Sequence, residues 1–279
     1  MRIINGAREM QGIANDAIKN GKKISLVPTM GALHEGHINL ISEGRIRGDI
    51  LVVSIFVNPT QFGPDEDFRK YPRDLEGDLL KMGNLGVDIV FAPSLEEMYQ
   101  EEFQTYVEVK ELQEHLCGPS RPGHFRGVAT VVLKLFNIVK PHIALFGEKD
   151  YQQLKIIQRM VKDLNLEVEV IAYPIIRDRD GLALSSRNAY LSTSEKKSAY
   201  SVPTALREIK KKFDMGCKNS KLMVEFGKKI LEETGIENID YLEICDSETL
   251  KSKELAESGN LVALAVRVGG TRLIDNIRL

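Results

Sequence analysis

The run DILVVSIFV at 49–57 restricts this chain more than any other feature. Apart from Asp49 and Ser54 it is continuously apolar, and it is rich in β-branched residues. A strand with one wet face would alternate polar and apolar positions. A run without alternation predicts a strand buried on both faces. Such a strand needs helices above and below it, which is an α/β arrangement. The flanking segments agree. Residues 22–27, closed by Pro28, read as a strand, as do 87–92, 142–146 and 167–172. Helical spacing appears at 36–47, 74–82, 127–139 and 150–164. Strands alternating with helices imply right-handed β-α-β units and a Rossmann-like, doubly wound parallel sheet.

The pattern changes near residue 177. Residues 177–188 (RDRDGLALSSRN) are loop-like, and Lys- and Glu-rich helices are expected at 194–213 and 218–233. Strands follow at 239–244, 261–268 and 272–276. The expectation is therefore a larger α/β domain over 1–176 and a smaller C-terminal α+β domain over 177–279, both of ordinary domain size. No internal repeat or low-complexity tract interrupts them.

Charge and composition exclude several classes. Lys and Arg number 38 against 40 Asp and Glu, a net charge of −2, so neither a nucleic acid nor a membrane surface is expected as a partner. Apolar stretches are far shorter than the ~20 residues of a membrane span. The start, MRIINGAREM, lacks the apolar segment of a secretory signal. Cys117, Cys217 and Cys245 are odd in number and scattered, which argues against disulfides or a zinc site and fits a cytoplasmic location.

Chemistry concentrates where strands end. Pro28 to His37 (PTMGALHEGH) follows the first expected strand and enters a helix. Ligands of open α/β sheets sit at the carboxyl ends of strands, and a helix N-terminus offers free N–H groups to phosphate. Two imidazoles there, His34 and His37, can donate hydrogen bonds to phosphate oxygens as charge builds. Gly36 leaves room for a ring against the backbone. Taken alone, His-x-x-His is more often two ordinary histidines, and it is one residue short of the zinc-protease spacing. Leu184-Ser185-Ser186-Arg187 pairs hydroxyls with a guanidinium, which suits a triphosphate but also describes a solvated turn. Lys149 could hold phosphate, and Asp150 could accept ribose hydroxyls or simply cap a helix. Asn58-Pro59 favours a turn. The loop 120–127, with two arginines, reads equally as a mobile flap or a basic surface.

Taken together, PTMGALHEGH, FVNPTQF, SRPGHFRGVATVV, FGEKDYQQL, DGLALSSRN and VGGTRLIDN resemble the pantothenate synthetase family, within the H-x-G-H nucleotidyltransferases. The motifs come in the family's order and span most of the chain. The resemblance implies an ATP-dependent ligase, usually a homodimer, that condenses pantoate with β-alanine through a pantoyl adenylate and releases AMP and pyrophosphate. ATP is a substrate, and Mg²⁺ assists through ligands left open. Carried over by motif, Met30, Gly31, Ala32, Leu33, His34, Glu35, Gly36 and His37 wall the ATP site, with His37 as proton donor. Gly147, Glu148, Lys149 and Asp150 take phosphate and ribose. Ile176 contacts adenine through its backbone. Leu184, Ser185, Ser186 and Arg187 close over the triphosphate. Gln61 and Gln153 hold pantoate, Gln61 also lying near the β-alanine position.

Three rival readings differ in what they need. Another H-x-G-H transferase requires neither FVNPTQF nor two placed glutamines. A class I aminoacyl-tRNA synthetase normally carries an RNA-binding module, for which neither charge nor length provides. A non-catalytic sensor would bind ATP without releasing pyrophosphate.

Overall fold

The computed structural model describes residues 1–64 and 66–279. These fall into two compact units, Met1–Val109 with Pro122–Glu148 and Ile156–Pro174, and Lys110–Arg121 with Lys149–Lys155 and Ile175–Leu279.

The chain begins with β1 (Arg2–Ile4), α1 (Ala7–Lys19), β2 (Ile24–Thr29) and α2 (Glu35–Arg47). Then come β3 (Ile50–Ile55), α3 (Leu75–Met82), β4 (Ile89–Phe91) and the short α4 (Leu95–Met98) and α5 (Lys110–Gln113). α6 (His124–Val139), β5 (Ile143–Gly147), α7 (Tyr151–Asp163) and β6 (Glu169–Tyr173) complete the α/β pattern. Six parallel strands form one sheet in the order β1-β4-β3-β2-β5-β6. The chain leaves β2 towards β3 and β4 on one side and returns to β5 on the other. The order therefore reverses beside β2, the position at which such sheets bind ligands.

Burial on both faces accounts for the apolar run of β3. Val27, Leu51 and Val53 pack with Ile41 of α2. Leu26 and Val52, which point the opposite way, are equally buried, and α1 and α6 pack together and contact β2. Helices α1, α4 and α5 are not anticipated by the sequence, and neither is β1. It is a three-residue edge strand, too short to show a period, and it pairs with β4 in register Ile3 to Val90.

In the second unit, α8 (Thr193–Ala199), α9 (Ser201–Asp214) and α10 (Ser220–Glu232) precede an antiparallel sheet of β7 (Ile239–Cys245), β8 (Leu261–Val268) and β9 (Thr271–Arg278). Its core joins Leu206 and Ile209 of α9 and Leu231 of α10 to Leu242, Leu264 and Leu273 of the sheet. The expectation of one helix across 194–213 is corrected. The chain instead breaks at Tyr200, because a continuous helix would need an N–H from Pro203. At the third position of a new helix that missing donor costs nothing. Among the described residues no helix is long and apolar enough to cross a membrane.

Candidate functional site

The sequence-predicted residues occur in both units. In the first, β2 ends in a tight turn. Gly31 has φ +80 and Ala32 φ +50, left-handed conformations in succession. A Cβ on Gly31 would lie 3.0 Å from Asp78 Oδ2 and 3.2 Å from Ile55, so only glycine fits. The strained Ala32 is held by a buried carboxylate of α3. Ala32 N–H donates to Asp78 Oδ2 and Leu33 N–H to Asp78 Oδ1, both at 2.7 Å. Lys81 Nζ lies 3.7 Å from Asp78 and donates to Leu33 O at 2.8 Å. The sequence places Asp78 on an ordinary helix and gives no sign of this brace.

The turn delivers His34 as the N-cap of α2. Gly36 N–H donates to His34 Nδ1 at 3.1 Å, and His34 N–H donates to His37 Nδ1 at 3.3 Å. This is a capping box built from two imidazoles where Ser and Glu are usual, and the His-x-x-His spacing is the capping-box spacing. The ring centroids are 4.1 Å apart. Because each Nδ1 accepts a backbone N–H, each neutral ring must carry its proton on Nε2. The fold thus fixes two adjacent Nε2–H donors at the mouth of a helix.

β3 delivers the next group. Gln61 closes a 3-10 turn, Pro59–Gln61, and is buried. Its side-chain oxygen accepts from Asn58 Nδ2 at 3.1 Å, and its Nε2 lies 3.1 Å from Met30 Sδ. The amide is therefore oriented, with its NH₂ group turned to the end of β2. Asn58, only 1% exposed, does the orienting. It also donates to Gly127 O at 3.1 Å and accepts from Tyr99 Oη at 2.9 Å. Burial, first of all, pushes the Tyr99 hydroxyl above its ordinary range and keeps it a donor. His124 Nδ1 meets Gln61 O at 2.7 Å. A carbonyl can only accept, so that nitrogen carries the proton. In the sequence Asn58 reads as a simple turn residue. The available signal is a polar residue placed straight after a fully buried strand.

Gly147 ends β5 in the same unit, and Glu148, Lys149 and Asp150 form the 3-10 turn into α7. In the second unit Lys149 Nζ lies 3.9 Å from the exposed Asp150 carboxylate. Gln152 is fully employed in structure, accepting from Cys117 N–H at 2.9 Å and donating to Leu112 O and His115 O at 2.8 and 2.6 Å. Its neighbour Gln153 is half-buried on α7. Residues 177–184, part of the 177–188 segment expected to be loop-like, fold back on themselves. Leu184 N–H donates to Ile176 O and Asp178 N–H to Leu182 O, both at 2.9 Å. This brings Ile176 and Leu184 together. Ser185 then caps a 3-10 helix, Ser186–Tyr190, by accepting from Arg187 N–H at 3.3 Å.

A model of the pantoate-beta-alanine ligase family matches residues 2–278. The chain belongs to the pantoate–β-alanine ligase family. Its reaction is the ATP-dependent ligation of pantoate and β-alanine. The pantothenate synthetase of Geobacter sulfurreducens is 54% identical over 276 residues, covering 99% of this chain and 98% of that one. That of a Sulfurihydrogenibium species is 52% identical over 278 residues, covering 99% of each. Among solved structures, the pantothenate synthetase of Thermus thermophilus aligns with TM-score 0.94 at 42% identity over 99% of both chains. The pantoate-beta-alanine ligase of Francisella tularensis, complexed with β,γ-ATP and β-alanine, aligns with TM-score 0.84 at 37% identity over 100% of this chain and 97% of that one. The ligase fold accordingly places its histidine turn, its oriented glutamine and Gly147 at the carboxyl ends of neighbouring strands β2, β3 and β5.

Proposed function

We propose that this ligase first activates pantoate on ATP and then transfers it to β-alanine. A pantoate carboxylate oxygen attacks the α-phosphorus, and the bond to pyrophosphate breaks. The amine of β-alanine then attacks the acyl carbon of the pantoyl adenylate, AMP leaves, and the amine loses its proton. The observation that carries this reading is the reciprocal cap of His34 and His37. It fixes the tautomer and the direction of both rings, so that each Nε2–H can be aimed at charge building on the transferring phosphate. His37, the proton donor of the family resemblance, would direct its Nε2–H at an oxygen of that group.

The remaining roles follow from donor chemistry. Met30 to Gly36 line the nucleotide, and Gly147 to Asp150 take phosphate and ribose. Ile176 offers backbone to adenine, and Leu184 to Arg187 bind the triphosphate, Arg187 as a two-pronged donor. Pantoate is held by Gln61 and Gln153. A neutral amide orients the carboxylate without neutralising the attacking oxygen. Gln61, its oxygen engaged by Asn58, presents its NH₂ group. Mg²⁺ would come with ATP. That ion keeps several waters and takes phosphate oxygens with one or two carboxylates, and the exposed Asp150 is a carboxylate in the segment assigned to ATP. Bound there it would neutralise phosphate charge. A homodimer and a cytoplasmic location complete the proposal, on the family resemblance.

The test exploits the cap. The double variant His34→Ser/His37→Gln rebuilds an ordinary Ser-x-x-Gln capping box, so α2 keeps its start. Losing preorganised donors should nevertheless lower pantoate-dependent pyrophosphate exchange by roughly 10²–10³ or more. A variant that exchanges at the normal rate removes the histidines from the chemistry.

A further inference from the structure

The last of the six motifs, VGGTRLIDN at 268–276, has no part in the reaction as proposed, yet its end is buried. Asp275 is 2% exposed and Asn276 6%. Two consecutive residues of β9 hold two separate pieces of chain. The Arg177 guanidinium forks onto Asp275, with one prong 2.6 Å from Oδ2 and the other 2.9 Å from Oδ1. The same guanidinium donates to Gly181 O at 2.9 Å and to Asn276 O at 3.2 Å. Arg177 directly follows Ile176 and bridges Ala183, which directly precedes Leu184. The fork thus pins the foot of the 176–184 hairpin, and the bond to Gly181 pins its turn. Asn276 Nδ2 meanwhile donates to Lys149 O at 3.1 Å. Asp275 Oδ1 also accepts from Asn276 N–H at 2.7 Å, which stiffens the anchor itself.

We infer that Asp275 and Asn276 are positioning residues for ATP: β9 sets the Lys149 backbone and the Leu184–Arg187 segment in fixed places from one rigid strand. This rests on the reading of those two segments as nucleotide-binding. Neither residue need touch substrate. A buried carboxylate is costly unless it is paired and hydrogen-bonded, and a bidentate fork is the geometry that fixes direction as well as distance. Burial, the largest influence, pushes the Asp275 carboxyl above its ordinary range against the pull of Arg177, so the pair is worth more as a constraint than as a source of stability.

The test is Asp275→Asn, which keeps the volume and removes the charge and one acceptor of the fork. Displacing a positioned group by about 1 Å can cost ~100-fold. KM for ATP should therefore rise tenfold to about 100-fold, while KM for β-alanine stays within about twofold. Trypsin should cut after Arg179 faster in the variant than in the parent. An unchanged KM for ATP in a folded variant overturns the inference. So does an equal rise in both KM values, which is what general loosening would give. If Asp275→Asn does not fold, Arg177→Lys and Asn276→Ser carry the same measurement. Arg187→Ala runs alongside. If that variant also leaves KM for ATP unchanged, the reading of Leu184–Arg187 fails. If it alone raises KM, only the role of β9 fails.

Discussion

Gly127 is where the geometry of the pantoate segment can be perturbed with least chemical change. It lies in α6, and its carbonyl accepts from Asn58, the residue that orients Gln61. A Cβ built on it would sit 2.3 Å from Thr60 O, 2.5 Å from Thr60 C and 2.7 Å from Gln61 N. All three are backbone atoms, so no rotamer change relieves the clash. Real Cβ contacts stop near 3.0 Å, so Thr60 O must retreat by at least 3.0 − 2.3 = 0.7 Å. The displaced element is the Pro59–Gln61 turn itself. Overpacking of this kind costs about 1–3 kcal/mol, which lowers Tm by a few degrees in a chain of this length. Function should suffer more, since a misplacement near 1 Å costs on the order of 100-fold. Gly127→Ala should therefore reduce kcat/KM for pantoate by about 10- to 100-fold while ATP binding, followed by fluorescence or calorimetry, is nearly unchanged. Equal losses for ATP and pantoate, or none for pantoate, would refute the claim that α6 sets the position of Gln61.

Asp78→Asn leaves one acceptor for two backbone donors that now meet a carboxylate at 2.7 Å each. A hydrogen bond to a charged group is worth roughly 1.5–3 kcal/mol, so the variant should lose about that much in chemical denaturation and lose exchange activity as the His34 turn relaxes; full activity would exclude the brace. Burial, then Glu243 and Asp246, push the Cys245 thiol from 9.0 up to about 12. The folded state thus holds a proton that the unfolded chain releases above pH 9. The stability this group contributes is present below that pH and is lost towards pH 12, at up to about 1.4 kcal/mol per pH unit. Cys245→Ala should lose less stability than the parent between pH 8 and 10.5 in urea titrations, and parallel losses would contradict the shift. Arg187→Lys should retain only a minor part of the activity, because a point charge does not replace a fork; full retention would remove the bidentate role.

The fold is legible where a residue's environment is written in its neighbours. The run at 49–57 announces β3 because both its faces are covered, whereas the Lys- and Glu-rich pattern of 194–213 suggests one helix and hides the break before Pro203. The edge strand β1 is not legible, since three residues cannot show a period. At the candidate site, what sequence conveys is which strand ends carry chemistry. The histidine pair stands out through its spacing, although that spacing also encodes a cap. The supporting residues are hidden for a different reason. Asp78 meets Ala32 across 46 positions, Arg177 meets Asp275 across 98, and Asn58 meets Gly127 across 69. No local pattern marks a polar side chain as buried and committed when its partner is that distant. Only the packed structure separates Gln152, locked into the backbone of 112–117, from its half-buried neighbour Gln153.

The central claim is that pantoate is activated on ATP before β-alanine takes part. Isotope exchange between pyrophosphate and ATP measures this step alone. With purified protein, Mg²⁺, ATP and pantoate, and with β-alanine left out, label should pass into ATP, and omitting pantoate should abolish the exchange. Exchange that requires β-alanine, or that proceeds without pantoate, would contradict a pantoyl adenylate formed at the histidine turn.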